Sequence, residues 1–167
     1  MNEGGWIETA SGNRIHKSCM IKGSKYVVIG GSTTIDSNCT VIVSGKEPVK
    51  PAKLIIGKCT YFKPSVELYL SRPTRSLYIG SFTMIGTGTK INNCSSIGSR
   101  VLIGERCEID KNCTIYDCCI LEDGTHLPSG YTVPPFTRVT RKLEYHNLEP
   151  SFRDEIEESV KTSLLFG

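Results

Sequence analysis

An aliphatic residue occurs at every sixth position between residues 79 and 139. These positions are Ile79, Ile85, Ile91, Ile97, Ile103, Ile109, Ile115, Leu121, Leu127, Val133 and Val139. An α-helix spaces apolar residues three or four apart and a β-strand two apart, so neither element explains this period. A strict period of six requires short strands separated by regular corners, and three such hexads close one triangular coil.

The other positions of the hexad fit the same coil. The residue two places before the aliphatic is usually small or β-branched, as at Thr83 and Cys107, so it can fill a narrow corner. The residue after the aliphatic is often Gly, Asn or Asp, which accept turn backbone. Coils stack about 4.8 Å apart and bury together an aliphatic face that one coil cannot bury alone. The pattern therefore predicts an all-β fold, a parallel β-helix of single strands.

The repeat extends upstream and is interrupted twice. The same phase recurs at Ile29, Ile35, Val41, Ile56, Phe62 and Leu68. Prolines and basic residues near 43–53 and 69–77 predict loops. After residue 140 the pattern ends, and a stripe at Phe152, Ile156, Val160 and Leu164 predicts an α-helix. We expect a β-helix domain over 1–140, and a linker with a C-terminal helix over 141–167.

Composition excludes several classes of protein. The formal net charge of +3 is too small for a general nucleic-acid or membrane-surface binder. The chain has no run of about 18 apolar residues and does not start with a secretion signal, so we expect a soluble protein of the cytoplasm with no membrane insertion. Its eight cysteines are then expected to be reduced thiols.

Several cysteines raise the question of a metal site, because thiolates bind zinc. The cysteines at the small corner position of the hexad are Cys39, Cys107, Cys113 and Cys119. Successive hexads lie on different faces of a coil, so these residues are expected to pack in corners rather than to meet at a metal. Cys59, Cys94 and Cys118 lie one place earlier in the hexad and are expected nearer the surface. We expect neither a metal nor a cofactor.

Histidine limits the enzymatic alternatives. Hexapeptide β-helices carry acyltransferases and γ-class carbonic anhydrases, and both chemistries depend on histidine. The chain has only His16, His126 and His146, and the first two are about six coils apart, on the order of 29 Å, which prevents a three-histidine zinc site within one protomer. His126 could act alone as a general base, but its place in the hexad faces solvent. We expect no enzyme; a trimeric hexapeptide-repeat acyltransferase remains the alternative.

Two sets of residues are candidates for partner binding. Basic residues gather in the interruptions and after the last coil, at Lys46, Lys50, Lys53, Arg72, Arg75, Arg138, Arg141 and Lys142. As a hypothesis, some of them face an acidic partner, because loops projected from a rigid rod often carry recognition residues. Trp6, Ile7 and Ile15 are expected at the first coil, where an open apolar edge needs a partner to cover it.

Two segments go beyond the generic repeat. They are WIETASGNR, residues 6–14, and DCCILEDGTHLPSGYTVPPFT, residues 117–137. Both resemble the corresponding ends of the dynactin subunit 5 family, whose members are small left-handed β-helix subunits of the dynactin pointed-end complex. The register between the two segments also fits, so the resemblance covers most of the chain up to about residue 140. The second loop and the C-terminal tail depart from the family pattern.

The resemblance implies both a handedness and a role. It implies a left-handed coil, which the period alone does not show and which departs from the usual right-handed crossover. It implies a non-catalytic scaffold subunit of the cytoskeleton that helps to cap the pointed end of an actin-related filament and to connect dynein to cargo. The implied partners are a second β-helix subunit, an actin-related protein, a larger zinc-binding subunit, and dynein adaptors or cargo.

Overall fold

A computed structural model describes residues 4–44, 53–71, 75–94 and 96–166. Within these residues the chain forms a left-handed parallel β-helix of about six coils followed by one α-helix, as predicted. Each coil contributes one strand to each of three sheets, which form the sides of a triangle. We call these sides faces A, B and C, in the order in which the chain visits them.

The strands are short, as a period of six requires. Those of the N-terminal half are β1 (Trp6–Glu8), β2 (Arg14–His16), β3 (Met20–Lys22), β4 (Val27–Ile29), β5 (Thr34–Ile35), β6 (Thr40–Ser44), β7 (Leu54–Ile56), β8 (Tyr61–Phe62), β9 (Glu67–Ser71) and β10 (Leu77–Ile79). Those that follow are β11 (Met84–Ile85), β12 (Lys90–Asn92), β13 (Ser96–Ile97), β14 (Leu102–Ile103), β15 (Glu108–Ile109), β16 (Thr114–Ile115), β17 (Ile120–Leu121), β18 (His126–Leu127), β19 (Thr132–Val133), β20 (Thr137–Val139) and β21 (Tyr145–Asn147). The helix α1 spans Phe152–Phe166.

Each strand pairs with the strand one coil away on the same face. Face A has the order β1-β2-β5-β8-β11-β14-β17-β20-β21, face B runs from β3 to β18 and face C from β4 to β19. The pairing is parallel except at the two ends of face A, where β1 and β21 pair antiparallel to β2 and β20. The two terminal strands therefore turn back on the β-helix instead of extending it.

The predicted aliphatic row forms the core. Ile79 pairs with Ile97, and Ile97 with Ile115, so three hexads make one coil. From Ile35 to Val139, every aliphatic or aromatic residue of the repeat phase is at most 3% exposed. Each such side chain contributes about 2 kcal/mol when it leaves water, so stacked rows of them stabilise the rod.

The corners need backbone that few residues accept. Asn38, Arg106 and Asn112, for example, have positive φ angles of 59°, 51° and 62°. Gly80 meets a different constraint, because a Cβ atom there would overlap the backbone nitrogen of Ser99 in the next coil. The glycine that often follows the aliphatic thus permits close stacking, rather than a positive φ.

The first coil departs from the strict period. Eight residues rather than six separate Ile21 from Ile29 along the chain, because a 3₁₀ turn at Ser24–Tyr26 is inserted between β3 and β4. Further along, β6 and β9 remain in register as far as Ser44 and Ser71, which lie on adjacent coils. The predicted loops, near 43–53 and 69–77, thus begin within β6 and β9, and residues 45–52 and 72–74 lie outside the described residues.

Helix α1 docks on the side of the β-helix. Ile156 and Val160 of its predicted stripe are 1% and 0% exposed, and Phe152 and Leu164 are half-buried. Glu157 of the helix pairs with Arg100 at 3.1 Å, which places the helix along the corner between faces C and A. No helix in the described chain is long and apolar enough to cross a bilayer.

Candidate interaction surfaces

The N-terminal end of the β-helix is open. The inward-facing residues of its first coil are only half-buried, whereas those of the second coil are at most 3% exposed. The half-buried residues are Ile15, Cys19, Ile21, Tyr26, Val27 and Ile29. Among the described residues, β3 and β4 are the last strands of faces B and C, so their outer backbone edges have no strand beside them. An apolar layer next to an open strand edge is a surface suited to a partner.

The three apolar residues predicted at this end come together there. Ile7 lies opposite Ile15 in the antiparallel pair of β1 and β2, so it continues the inward aliphatic row beyond the first coil. Ile7 is 49% exposed. Trp6 is half-buried, with its ring 5.0 Å from the His16 ring and 4.3 Å from the Arg14 guanidinium. A role for these residues in partner binding stays a prediction.

The segment ETASGN holds this end in shape. Asn13 is 4% exposed, and its Oδ1 accepts a hydrogen bond of 2.9 Å from the Thr33 N–H. The Asn13 N–H in turn donates to Thr9 Oγ1 at 3.2 Å. A buried asparagine therefore joins the β1–β2 hairpin to the start of the second coil.

Two of the predicted basic residues lie together near this end. Lys53 and Arg75 are both exposed, and they come at the starts of face C in adjacent coils. The Lys53 N–H donates to Ser76 Oγ at 3.1 Å, and the Leu77 N–H donates to the Lys53 carbonyl at 2.9 Å. Lys46, Lys50 and Arg72 lie outside the described residues. Along the chain, both predicted interruptions fall between a strand of face B and the next strand of face C.

The remaining predicted basic residues lie at the other end. Arg138 is exposed within β20, and Arg141 and Lys142 are exposed after it. Arg138 forms an ion pair with Glu122 of the preceding coil at 3.6 Å. The described members of the predicted basic set therefore fall into two groups.

The C-terminal end of the β-helix is covered. Val139, the last residue of the aliphatic row, is 0% exposed, and Leu143 packs against the core. Strand β21 adds a backbone edge to β20, and the Tyr145 hydroxyl donates to the Thr132 carbonyl at 3.1 Å. The inward residues of the last coil are therefore buried, whereas those of the first coil are only half-buried although β1 pairs with β2 in the same way.

The corner cysteines pack as predicted. Cys39 is 1% exposed, and Cys107, Cys113 and Cys119 are all 0% exposed. Burial in an apolar corner raises the pKa of the last three thiols, to about 11 for Cys119. Among the described residues, no three His, Cys, Asp or Glu side chains are grouped to hold a metal ion.

The expectation that Cys94 and Cys118 lie near the surface is wrong, because both are 3% exposed. Cys94 turns its thiol to the Cys113 carbonyl of the next coil, 3.0 Å away. Cys118 lies on the corner where helix α1 begins, close enough for Arg153 to influence its pKa. Cys59 is half-buried. The position of Cys118 in the hexad does not show that a helix from outside the repeat will bury it.

His126 has an acidic partner that sequence reasoning missed. Its side chain is exposed as predicted, but Nε2 lies 2.8 Å from Asp110 Oδ2 and 3.9 Å from Glu108 Oε2. The hydrogen bond to Asp110 is the main cause of a raised His126 pKa. The sequence could have predicted this cluster, because residues three hexads apart stack on adjacent coils. Glu108 precedes His126 by three hexads and pairs with it across β15 and β18.

The other two histidines are distant from this pair. His16 is in β2 and His126 follows β17, so five coil spacings separate them rather than six. His16 Nδ1 hydrogen-bonds with Ser18 Oγ at 2.6 Å. His146 lies in β21, opposite Arg138. The structure does not bring the three imidazoles together.

An apolar groove on the outside of face A was also missed. Met84, Leu102 and Ile120 are aligned on consecutive strands, and all three are half-buried. They line a groove of about 630 Å³ whose rim includes Asp123 and the predicted basic residue Arg141. The sequence could have predicted this groove, because an apolar residue recurs once per coil just before the inward aliphatic.

Comparison with known proteins gives a family and a shared fold. The family model of dynactin subunit 5 matches residues 1–154. A search of curated proteins returned no match.

Several solved acyltransferases have the same fold. The N-acyltransferase AntD from Bacillus cereus, in complex with dTDP and 3-hydroxybutyryl-CoA, is 16% identical, with a TM-score of 0.70 over 92% of this chain and 88% of that chain. A hexapeptide transferase family protein from Anaplasma phagocytophilum is 16% identical, with a TM-score of 0.61 over 97% and 95%. PerB from Caulobacter crescentus, in complex with CoA and GDP-perosamine, is 14% identical, with a TM-score of 0.62 over 81% and 57%. At such identities the likeness concerns the fold alone.

Proposed function

Because the chain belongs to the dynactin subunit 5 family, we propose that it is a non-catalytic structural and interaction subunit of dynactin. Its place is the pointed end of the actin-related filament, where it helps to link dynein to cargo on the cytoskeleton of the cytoplasm. The family match over residues 1–154 carries this proposal. The open apolar end supports it, since exposed apolar surfaces of this kind often mark protein–protein contacts.

The proposed partners are a second β-helix subunit, an actin-related protein and a larger zinc-binding subunit, with dynein adaptors or cargo beyond them. Trp6, Ile7 and Ile15 form the proposed subunit contact, because they lie together at the open end. Its apolar character fits a permanent subunit better than a transient one.

Affinity purification of the tagged full chain from cells of its source organism tests this function. We expect the actin-related filament and the pointed-end partners to co-purify, as identified by mass spectrometry. Recovery of the chain alone, or only with further copies of itself, would contradict the proposal.

The basic residues are proposed to face an acidic surface of a partner or adaptor. Among the described residues, Lys53 and Arg75 are the proposed contacts with this acidic surface, because both are exposed at one corner. Replacing both with Glu should weaken recovery of that partner about tenfold or more, since like charges would then meet. The matched control is Lys111→Glu, an exposed lysine elsewhere. Equal recovery with both variants would remove the basic corner from the interface.

A trimeric acyltransferase is the second candidate. The shared fold with the acyltransferases and the pairing of His126 with Asp110 at 2.8 Å favour it. Transferases of this scaffold build their sites between protomers of a homotrimer. We expect light scattering to give a monomer, or a one-to-one complex with a β-helix partner, and calorimetry to give no heat with coenzyme A. A homotrimer that binds coenzyme A would support the enzyme instead.

A further inference from the structure

We propose that Cys19 and Cys39 form a thiol pair that a hydroperoxide oxidises to a disulfide, which joins the first coil to the second. The two residues occupy the same corner of consecutive coils, one place before the paired residues Met20 and Thr40. The product is an intramolecular bond within one β-helix. This inference does not depend on the proposed function.

The backbone geometry fits a disulfide. The Met20 N–H donates to the Cys39 carbonyl at 2.9 Å, so the two cysteines lie directly across one rung of face B. Neighbouring strands are about 4.8 Å apart, and bridged cysteines have Cα atoms about 4.4–6.8 Å apart. The first coil has another coil on one side only, so it can adjust locally when the bond forms.

The two thiols are neighbours and differ in access. Each influences the pKa of the other, and each also donates to a backbone carbonyl. Cys39 is 1% exposed, and its sulfur lies 3.2 Å from the Lys63 carbonyl. Cys19 is half-buried at the open end, and its sulfur lies 2.8 Å from the Asp36 carbonyl. An oxidant therefore reaches Cys19 first, and Cys39 is behind it to complete the bond.

The electrostatics favour Cys19 as the attacking thiolate. The hydrogen bond from Cys39 lowers the pKa of Cys19 to about 7, against the opposing effects of burial and of the Asp36 charge. The same interaction, followed by burial, raises the pKa of Cys39. Once Cys19 is oxidised and neutral, the first of these causes disappears, and the Cys39 proton can pass to the hydroxide that leaves the sulfenic sulfur.

The chemistry proceeds in two balanced steps. The Cys19 thiolate attacks one oxygen of the hydroperoxide, the O–O bond breaks, and a sulfenic acid and an alkoxide or hydroxide form. Cys39 then attacks the sulfenic sulfur, the S–O bond breaks, and a disulfide and water form. Two thiols are oxidised and one peroxide is reduced.

Another cysteine of the same corner serves as the comparison. Cys107 is 0% exposed, and its N–H donates to Oγ1 of Thr89, its neighbour in the preceding coil. Its neighbour in the following coil is Thr125, which precedes His126 as Cys107 precedes the paired Glu108, and which is also 0% exposed. Cys107→Ser therefore removes a thiol that is as buried as Cys39 and leaves the proposed Cys19–Cys39 pair intact.

The test treats the reduced full chain with hydrogen peroxide, blocks free thiols with N-ethylmaleimide and digests it with trypsin without reduction. The sequence predicts a cross-linked product of peptides 18–22 and 26–46, lighter than their sum by two hydrogens. We expect this product in the wild type and in Cys107→Ser. At pH 7, alkylation of Cys19 should also be about tenfold faster than that of the half-buried Cys59.

Two variants separate the roles of the pair. Cys39→Ser keeps a hydroxyl donor but cannot form the bond, so Cys19 should stop as a sulfenic acid that dimedone traps. Cys39→Ala removes the donor as well, so alkylation of Cys19 should slow about tenfold. Absence of the cross-linked product in the folded wild type, or bonds between Cys19 and other cysteines instead, would overturn the proposal.

Discussion

Several polar side chains in the corners donate to a carbonyl of the next coil. The hydroxyl groups of Thr60 and Thr83 donate to the carbonyls of Gly80 and Gly98 at 2.9 and 2.8 Å. The Cys119 thiol turns in the same way to the Pro134 carbonyl at 3.0 Å. The corner position therefore selects a small or β-branched side chain, and a donor of Thr or Cys finds an acceptor there, although Val66 and Val101 fill the same position without one.

Asn13 provides the sharpest test of a buried polar contact. Asn13→Ala should cost about 1–3 kcal/mol, because the buried Thr33 N–H would lose its acceptor. Urea denaturation measures the change, and Asn92→Ala at an exposed site should cost less than about 0.5 kcal/mol. Equal midpoints for the two variants would show that the Asn13 amide is not needed.

His126 should give the fold a small pH dependence. Its pKa is raised by Asp110, so the stabilisation is complete below the unfolded value of about 6.5 and is lost as pH rises through the folded pKa. Because the pair is exposed, we expect less than about 1 kcal/mol. In an NMR titration the His126 midpoint should exceed about 6.5, and Asp110→Asn should lower it. An unchanged midpoint in Asp110→Asn would contradict the assignment.

At the scale of elements, periodicity predicted the coils and missed the ends. The hexad phase identified the inward residues from Ile35 to Val139 because each is buried, by neighbouring coils or, at the C-terminal end, with the help of Leu143. Strand β21 has three exposed residues, so no burial pattern marks it. The 3₁₀ turn at Ser24–Tyr26 was missed for a related reason, since the half-buried first coil does not require a strict period.

The sequence predicted the position of a candidate residue where the stacking of the coils alone determines that position. The meeting of Trp6, Ile7 and Ile15 at one end follows from their position before the repeat. The split of the basic residues into two groups follows from where the coils begin and end. The burial of Cys118 does not, because it depends on a helix that packs from outside the repeat.

Docking of helix α1 is open to a direct test. Ile156→Asp should release the helix, because it places a charge at a position that is 1% exposed. The β-sheet circular dichroism signal should persist, and alkylation of Cys118 should become at least about tenfold faster. Ser159→Asp, on the exposed side, is the control. Continued protection of Cys118 in Ile156→Asp would mean that the helix does not cover it.

As a whole, the molecule is a rod with unlike ends. The C-terminal end has its own cover in Leu143 and β21, and one side is covered by α1. Among the described residues, faces B and C end in an open strand edge at both ends, but only the N-terminal end retains a half-buried apolar layer. A rigid rod with one uncovered end suits a subunit of a larger assembly better than a free-standing monomer.

Quantitative co-purification of Ile7→Asp tests this view of the molecule most directly. Ile7 and Tyr116 are both 49% exposed, so Tyr116→Asp is a control of equal exposure on a different surface. We expect Ile7→Asp to keep the β-sheet circular dichroism signal but to recover at least about tenfold fewer dynactin chains than the wild type. Tyr116→Asp should recover as many as the wild type. Equal recovery by both variants, or no dynactin chains with the wild type, would contradict a dynactin subunit that assembles through its open end.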